Sequence, residues 1–241
     1  MTRPLSKCNN VGMARKQTLT LEPLEFVKLA ISKDNFRPIL NSVLHDGDVL
    51  VGTDTHRMHL VSGVSTSEKK TLLHVGKNCD LNANPENYPN WQRVVPDEHN
   101  ATFVVNGREF QEFCVQVSKF IKADKTLANR ATLVLGVEPN TLEIRAVSDS
   151  VEATFKYRGS FTFSFDKDFE TDCSTVKIGI DITFLIDALE VSKDDVTVSL
   201  TLTNLHNAPY TLYTARPIVF ANVNPVGYKQ YKAVVMPMDI R

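Results

Sequence analysis

The sequence lacks any apolar run of about 18 residues, so no membrane-spanning helix is expected. Its start is polar with scattered basic residues and has no apolar stretch of the signal-peptide kind. Residues 1–17 therefore read as a flexible arm. Cysteine is scarce: Cys8, Cys79, Cys114 and Cys173 are widely spaced and form no Cys-x-x-Cys pair. That spacing argues against a disulfide scaffold or a zinc knuckle and points to a reduced, cytoplasmic setting. Excess charge of either sign is also missing, with 27 Lys and Arg against 28 Asp and Glu. Any contact with nucleic acid must then come from a local basic face.

Signatures of chemistry are absent too. Gly76-Lys77-Asn78 lacks both the first glycine and the hydroxyl of a phosphate-binding loop, and no nucleophile elbow occurs. His56 and His59, three apart on a strand-like run, face opposite ways, which is poor metal geometry. The expectation is a non-enzymatic chain with no catalytic residue, no cofactor and no metal site.

What is present is a repeated unit. Thr18–Phe26, Thr102–Phe110 and Val176–Phe184 each read as a strand, a helix-start signal and a phenylalanine at the same offset. Pro23 suits a first helical turn, and Asn106 and Asp181 suit N-caps. Helical stripes follow: Phe26, Leu29, Ala30; then Phe110, Phe113, Cys114, Val117; then Phe184, Asp187, Ala188, Val191, with Asp187 breaking the last. Strand-like runs come after each helix. They are 39–44, 49–53 and 57–62; then 131–137, 141–147 and 151–157; then 196–203, 210–214 and 231–235. Asp46-Gly47-Asp48 is a hairpin signal, and turns are expected at Glu138-Pro139-Asn140 and Ser148-Asp149-Ser150. The fold class is α+β, built from strand–helix–three-strand units with helices on one face of antiparallel sheets.

Three motifs resemble the bacterial DNA polymerase sliding clamp, the beta subunit. The first is Ser32–Leu44 followed by Gly52-Thr-Asp-Thr-His-Arg-Met58. The second is Asn87-Tyr-Pro-Asn-Trp-Gln-Arg-Val-Val-Pro96, and the third is Tyr231-Lys-Ala-Val-Val-Met-Pro-Met-Asp-Ile240. The resemblance covers roughly residues 18–241. It implies a truncated clamp-like domain with bridge at 18–100 and a complete one at 101–241, with the family's first domain and half of its middle domain missing. Thr55 stands where the family has glycine, and Asp239 where a basic residue is common.

The resemblance further implies a cleft for short linear motifs of DNA polymerases and other replication or repair proteins. Its residues here would be Thr53, His56, Arg57, Met58, Pro89, Val94, Val234, Met236, Pro237 and Met238. Methionines suit such a cleft because they adapt to different apolar anchors. Pro237 should force the tail out of its strand. Taken singly, Met236 and Met238 read as core or edge residues, and His56 and Arg57 as solvated strand residues. The resemblance also implies contact with double-stranded DNA, for which Lys28, Lys33, Arg37, Arg108, Lys119, Lys122 and Lys125 are the candidates; the alternative is a solvated helix face. Ring closure would need a homo-oligomer that completes the half-domain between chains. A compact clamp of a phage or other mobile element fits the shortening. The alternatives are a clamp-fold adapter or decoy that ignores DNA, and an enzyme of unrecognised type on the same scaffold.

Overall fold

Alternation of apolar and polar residues at period two dominates the chain, and strands dominate the fold. The computed structural model describes residues 21–137, 140–167, 172–204, 210–214 and 216–239. The expected arm, the strand start at 18–20, Cys8 and the turn residues 138–139 lie outside the described residues.

A short helix, α1 (Pro23–Lys28), opens the described chain, with Pro23 in its first turn as expected. Four strands follow: β1 (Val43–Asp46), β2 (Val49–Thr53), β3 (Arg57–Ser62) and β4 (Thr71–Leu73). The second segment gives β5 (Ala101–Asn106), α2 (Gly107–Ala123), β6 (Arg130–Gly136), β7 (Thr141–Val147), β8 (Glu152–Lys156) and β9 (Phe161–Phe165). Then come β10 (Thr175–Asp181), α3 (Ile182–Ala188), β11 (Asp195–Leu200), β12 (Leu202–Asn204), β13 (Thr211–Thr214), β14 (Ile218–Asn222) and β15 (Gln230–Val235). The caps work as their residue types dictate. Asn106 accepts from the Glu109 N–H at 3.1 Å and Asp181 from the Thr183 N–H at 2.7 Å.

The strands form two sheets, ordered β4-β1-β2-β3-β15-β14-β11-β5-β9 and β12-β13-β10-β6-β7-β8. The first segment and the last share the larger sheet through the antiparallel pair β3–β15, with Met58 opposite Val234. Among the described residues all pairings are antiparallel except β10–β13, which run parallel over Thr175–Lys177.

Several expectations change in detail. The run 39–44 is a one-turn helix at Pro38–Asn41, and the strand begins only at Val43. The run 196–203 breaks after Leu200, because β11 lies in the larger sheet and β12 in the smaller. Two strands went unforeseen, β9 and β14. β9 (Phe161-Thr-Phe-Ser-Phe165) alternates strictly and was legible, whereas β14 (Ile218-Val-Phe-Ala-Asn222) opens on an unbroken apolar run with no period-two signal. The third helical stripe is Ile182, Leu185, Ala188 and Leu189, all fully buried; Phe184 turns aside. Asp187 does not interrupt packing either, since it faces a partner described below.

One core lies under the helices, where Phe26, Phe103, Phe110, Ile121, Ile178 and Phe220 are shut off from solvent. Burial of this kind is the main favourable term for the fold. Gly52 lets α1 sit directly on β2: a Cβ there would come within 2.5 Å of the Val27 carbonyl oxygen. A second, smaller core lies on the other face of the β1–β2–β3–β15 region, made by Leu40, Leu44, Val51, Met58, Leu60, Tyr88 and Val234.

A polar loop after β4 packs back against the one-turn helix at Pro38–Asn41. The backbone carbonyl of buried Asn41 accepts from the Gly76 N–H at 3.0 Å, and its side-chain amide donates to the Asp34 and Asn78 carbonyls. A Cβ at Gly76 would lie 2.4 Å from the Asn41 carbonyl oxygen, so only glycine permits this approach.

Candidate peptide-binding cleft

The second core opens at one edge into an apolar cavity of about 170 Å³. Its lining comes from three distant stretches: Thr53, Thr55, Arg57 and Met58 from the β2–β3 turn, Pro89, Trp91 and Val94 from the bridge, and Val234 and Met236 from β15 and the tail. A dry cavity of this size holds one large apolar side chain or an aromatic ring.

The β2–β3 turn is built by its own side chains. The Thr53 hydroxyl donates to the Arg57 carbonyl at 2.6 Å, and Asp54 Oδ1 accepts from the N–H groups of His56 and Arg57 at 3.0 Å each. Such hydrogen bonds are why Thr and Asp suit tight turns. Thr55 sits at φ 79°, in the left-handed region that penalises a β-branched residue. Thr55→Gly should therefore raise stability by about 1 kcal/mol, while Thr55→Ala gives no comparable gain. Urea unfolding of the two variants checks this; equal stabilities would deny the strain.

The bridge is held from both ends. Tyr88 is buried in the smaller core with its hydroxyl 3.4 Å from the Val51 carbonyl oxygen, and burial raises its pKa. The Trp91 indole N–H donates to Asp46 Oδ2 at 3.0 Å. Pro89 and Val94 are thereby carried over the cavity.

Arg57 is shared between cleft and core. Its stem lines the cavity, and its head turns inward. Nε donates to Asp54 Oδ2 at 3.0 Å, Nη1 pairs with Asp187 of α3, and the guanidinium lies 4.4 Å from the centre of the Phe184 ring. This explains why Phe184 and Asp187 leave the third apolar stripe: together they form the socket for Arg57. Burial pushes the Asp187 carboxyl above its ordinary value, and the Arg57 contact offsets part of that.

Three other expected cleft residues are not in it. The exposed His56 side chain lines a separate open cleft with Lys33, Asp34, Phe36 and Arg37. Pro237 does not line the cavity; as expected it ends the strand, and β15 stops at Val235. Met238 lies beyond the cavity, where its N–H donates to the Gly179 carbonyl of β10 at 2.9 Å. Met236 alone forms the methionine wall of the tail, with its own N–H bound to the His56 carbonyl at 2.9 Å. Sequence reasoning missed Thr55 and Trp91. Trp91 is the chain's single tryptophan and sits inside the bridge motif, which was signal enough.

The basic candidates differ in their local surroundings. Arg108, Lys119 and Lys122 share an exposed stripe of α2, which Glu112 and Val115 interrupt. Lys125 stands on the turn that follows α2. Lys28 is paired with Glu25 at 2.8 Å. Among the described residues no helix is long and apolar enough to cross a membrane, and no group of three or more His, Cys, Asp or Glu is placed to hold a metal ion.

No family model and no curated protein matches the chain. Solved structures do. The beta chain of DNA polymerase III from Streptococcus pneumoniae superposes with a TM-score of 0.67 at 16% identity, covering 100% of this chain and 67% of that one. The Borrelia burgdorferi beta subunit gives 0.66 at 12% identity, over 90% of this chain and 61% of that one. The DNA polymerase sliding clamp of Bacillus subtilis gives 0.63 at 15% identity, over 94% and 66%. The chain thus spans about three-fifths to two-thirds of the length of these proteins. With nearly the whole of this chain superposed on them, its two sheets and the helices packed on them have a known arrangement: the chain has the fold of the bacterial DNA polymerase III beta sliding clamp.

Proposed function

We propose that this chain is a non-catalytic, clamp-like processivity factor or hub that binds short linear segments of DNA replication and repair proteins. The segments dock an apolar side chain into the cavity between the β2–β3 turn, the bridge and Met236. The observation that carries this reading is the convergence of three distant stretches on one apolar cavity at the surface. A cavity with adaptable methionines and few polar groups binds an apolar anchor and leaves orientation to its rim. Affinity on the micromolar scale, about −8 kcal/mol, is expected for one anchor of this kind.

Copies of the chain then assemble around duplex DNA. Supporting this, β4 and β8 are open edge strands at the ends of the two sheets. Beside β8 the half-exposed Phe120 of α2 packs edge-on against Phe155 at 5.2 Å. An open edge with an apolar neighbour is the geometry of strand-mediated association. Arg108, Lys119, Lys122 and Lys125 would supply salt-sensitive phosphate contacts.

The clamp-fold adapter that never encircles DNA is favoured by one observation: the first segment contributes a single four-stranded unit to a chain that spans 61% of the Borrelia burgdorferi subunit. Light scattering of the full chain with nicked circular and with linear DNA separates the two. A closed oligomer retained on circles and lost from linear ends supports the clamp. A monomer that still binds peptides but ignores both DNA forms selects the adapter.

A further inference from the structure

A second cavity, of about 190 Å³, lies on the six-stranded sheet, on the face away from the core. Arg130 of β6, Arg145 of β7 and Lys177 of β10 stand around it, three cations against one carboxylate of the sheet, Glu152 of β8. Register explains the opening: Gly179 lies opposite Thr132, and Thr132 opposite Arg145. The absence of a side chain at Gly179 leaves a floor between longer neighbours. The tail reaches this place directly from the apolar cleft. Met236 lines one cavity, and Met238 and Asp239 line the other. Two residues of extended chain span about 7 Å.

Arg145 is not fully committed. Glu143 accepts from its Nη2 at 3.1 Å, but among the described residues no acceptor reaches its buried Nε. A buried donor without an acceptor penalises the present arrangement and favours turning toward an incoming carboxylate. An acid of the tail, Asp239, already stands in the lining.

We propose that this basic pocket is a second subsite for the same ligand and takes a carboxylate side chain, so that the bound peptides carry Asp or Glu about 2–4 residues from their apolar anchor. The inference rests on the cleft reading above. Asp239 acts as an internal competitor for the pocket, holding the tail down until a ligand acid replaces it.

The test uses the full chain and fluorescein-labelled synthetic peptides measured by anisotropy. Each peptide carries a Leu-Phe anchor, with a pair of Glu residues on one side or the other; matched peptides have Gln in place of Glu. One Glu peptide should bind about 10-fold tighter than its Gln partner, with the advantage shrinking as salt rises. Arg130→Gln combined with Lys177→Gln should bring the Glu-to-Gln ratio to about 1, whereas Asp239→Asn should increase it. Equal binding of Glu and Gln peptides by the unaltered chain overturns the acidic subsite and leaves the apolar cleft standing. No binding of any peptide overturns the cleft, and this inference with it.

Discussion

Met236→Asp, or Val94→Asp, is expected to weaken binding of a Leu-Phe-bearing peptide by about 100-fold or more, close to 3 kcal/mol. Both residues line the apolar cavity and both are partly exposed, at 39% and 38%. A carboxylate at either rim position faces a peptide that covers it and offers no partner, so docking would have to desolvate an unpaired charge. Because water reaches these side chains in the free protein, the fold should melt within a few degrees of the unaltered chain. Val234 is a poorer choice for the experiment. It is buried in the smaller core, and a charge there would unfold the region before binding could be judged. Undiminished affinity in both rim variants, in folded protein, would end the reading of this cavity as a peptide site.

Acid should destabilise the fold through His59. The ring is fully buried and stacks on Phe26 with centroids 4.5 Å apart, and its Nδ1 lies 3.0 Å from the Phe26 carbonyl oxygen. That carbonyl can only accept, so the neutral tautomer carries its proton on Nδ1. Nε2 has no partner among the described residues, which a bare acceptor tolerates better than a charged N–H. Burial lowers the pKa from 6.5 to about 3. Between those values the unfolded chain binds a proton that the folded chain refuses. The contribution is therefore complete above pH 6.5 and drains away as pH falls toward about 3. The loss should be about 3 kcal/mol by roughly pH 4.5. His59→Phe keeps the stack but cannot titrate. It should cost about 1 kcal/mol at neutral pH for the lost hydrogen bond and then lose less stability than the parent on acidification. Parallel pH dependence of urea unfolding in the two proteins would show that His59 does not control the acid limb.

Much of the architecture was written locally. The caps Asn106 and Asp181, the hairpin at Gly47 and the period-two runs of β6 and β7 announce their elements because each depends on neighbours a few residues away. The break between β11 and β12 was not legible, because both halves alternate as one strand and only the sheet they join differs. The cleft divides along the same line. Thr53, Met58, Pro89, Val94, Val234 and Met236 came together as their motifs implied, since β3 and β15 pair in register and the bridge is pinned by Tyr88 and Trp91. The fate of the Arg57 head was invisible in its own motif. It depends on Asp187, which is far away in the chain and reads by itself as a flaw in a helix.

By itself the sequence determined the repeated unit, the helix starts, the place where β15 ends and the apolar character of the three stretches that meet. Tertiary structure alone decided which side chains face the cavity. The path of the tail shows why. β13 covers β10 only over Thr175–Lys177, which leaves the Gly179 carbonyl open, and the Met238 N–H takes it. A backbone acceptor freed by the register of two other strands has no trace in the Met-Pro-Met motif, yet it sends one methionine to the cleft and the other away from it.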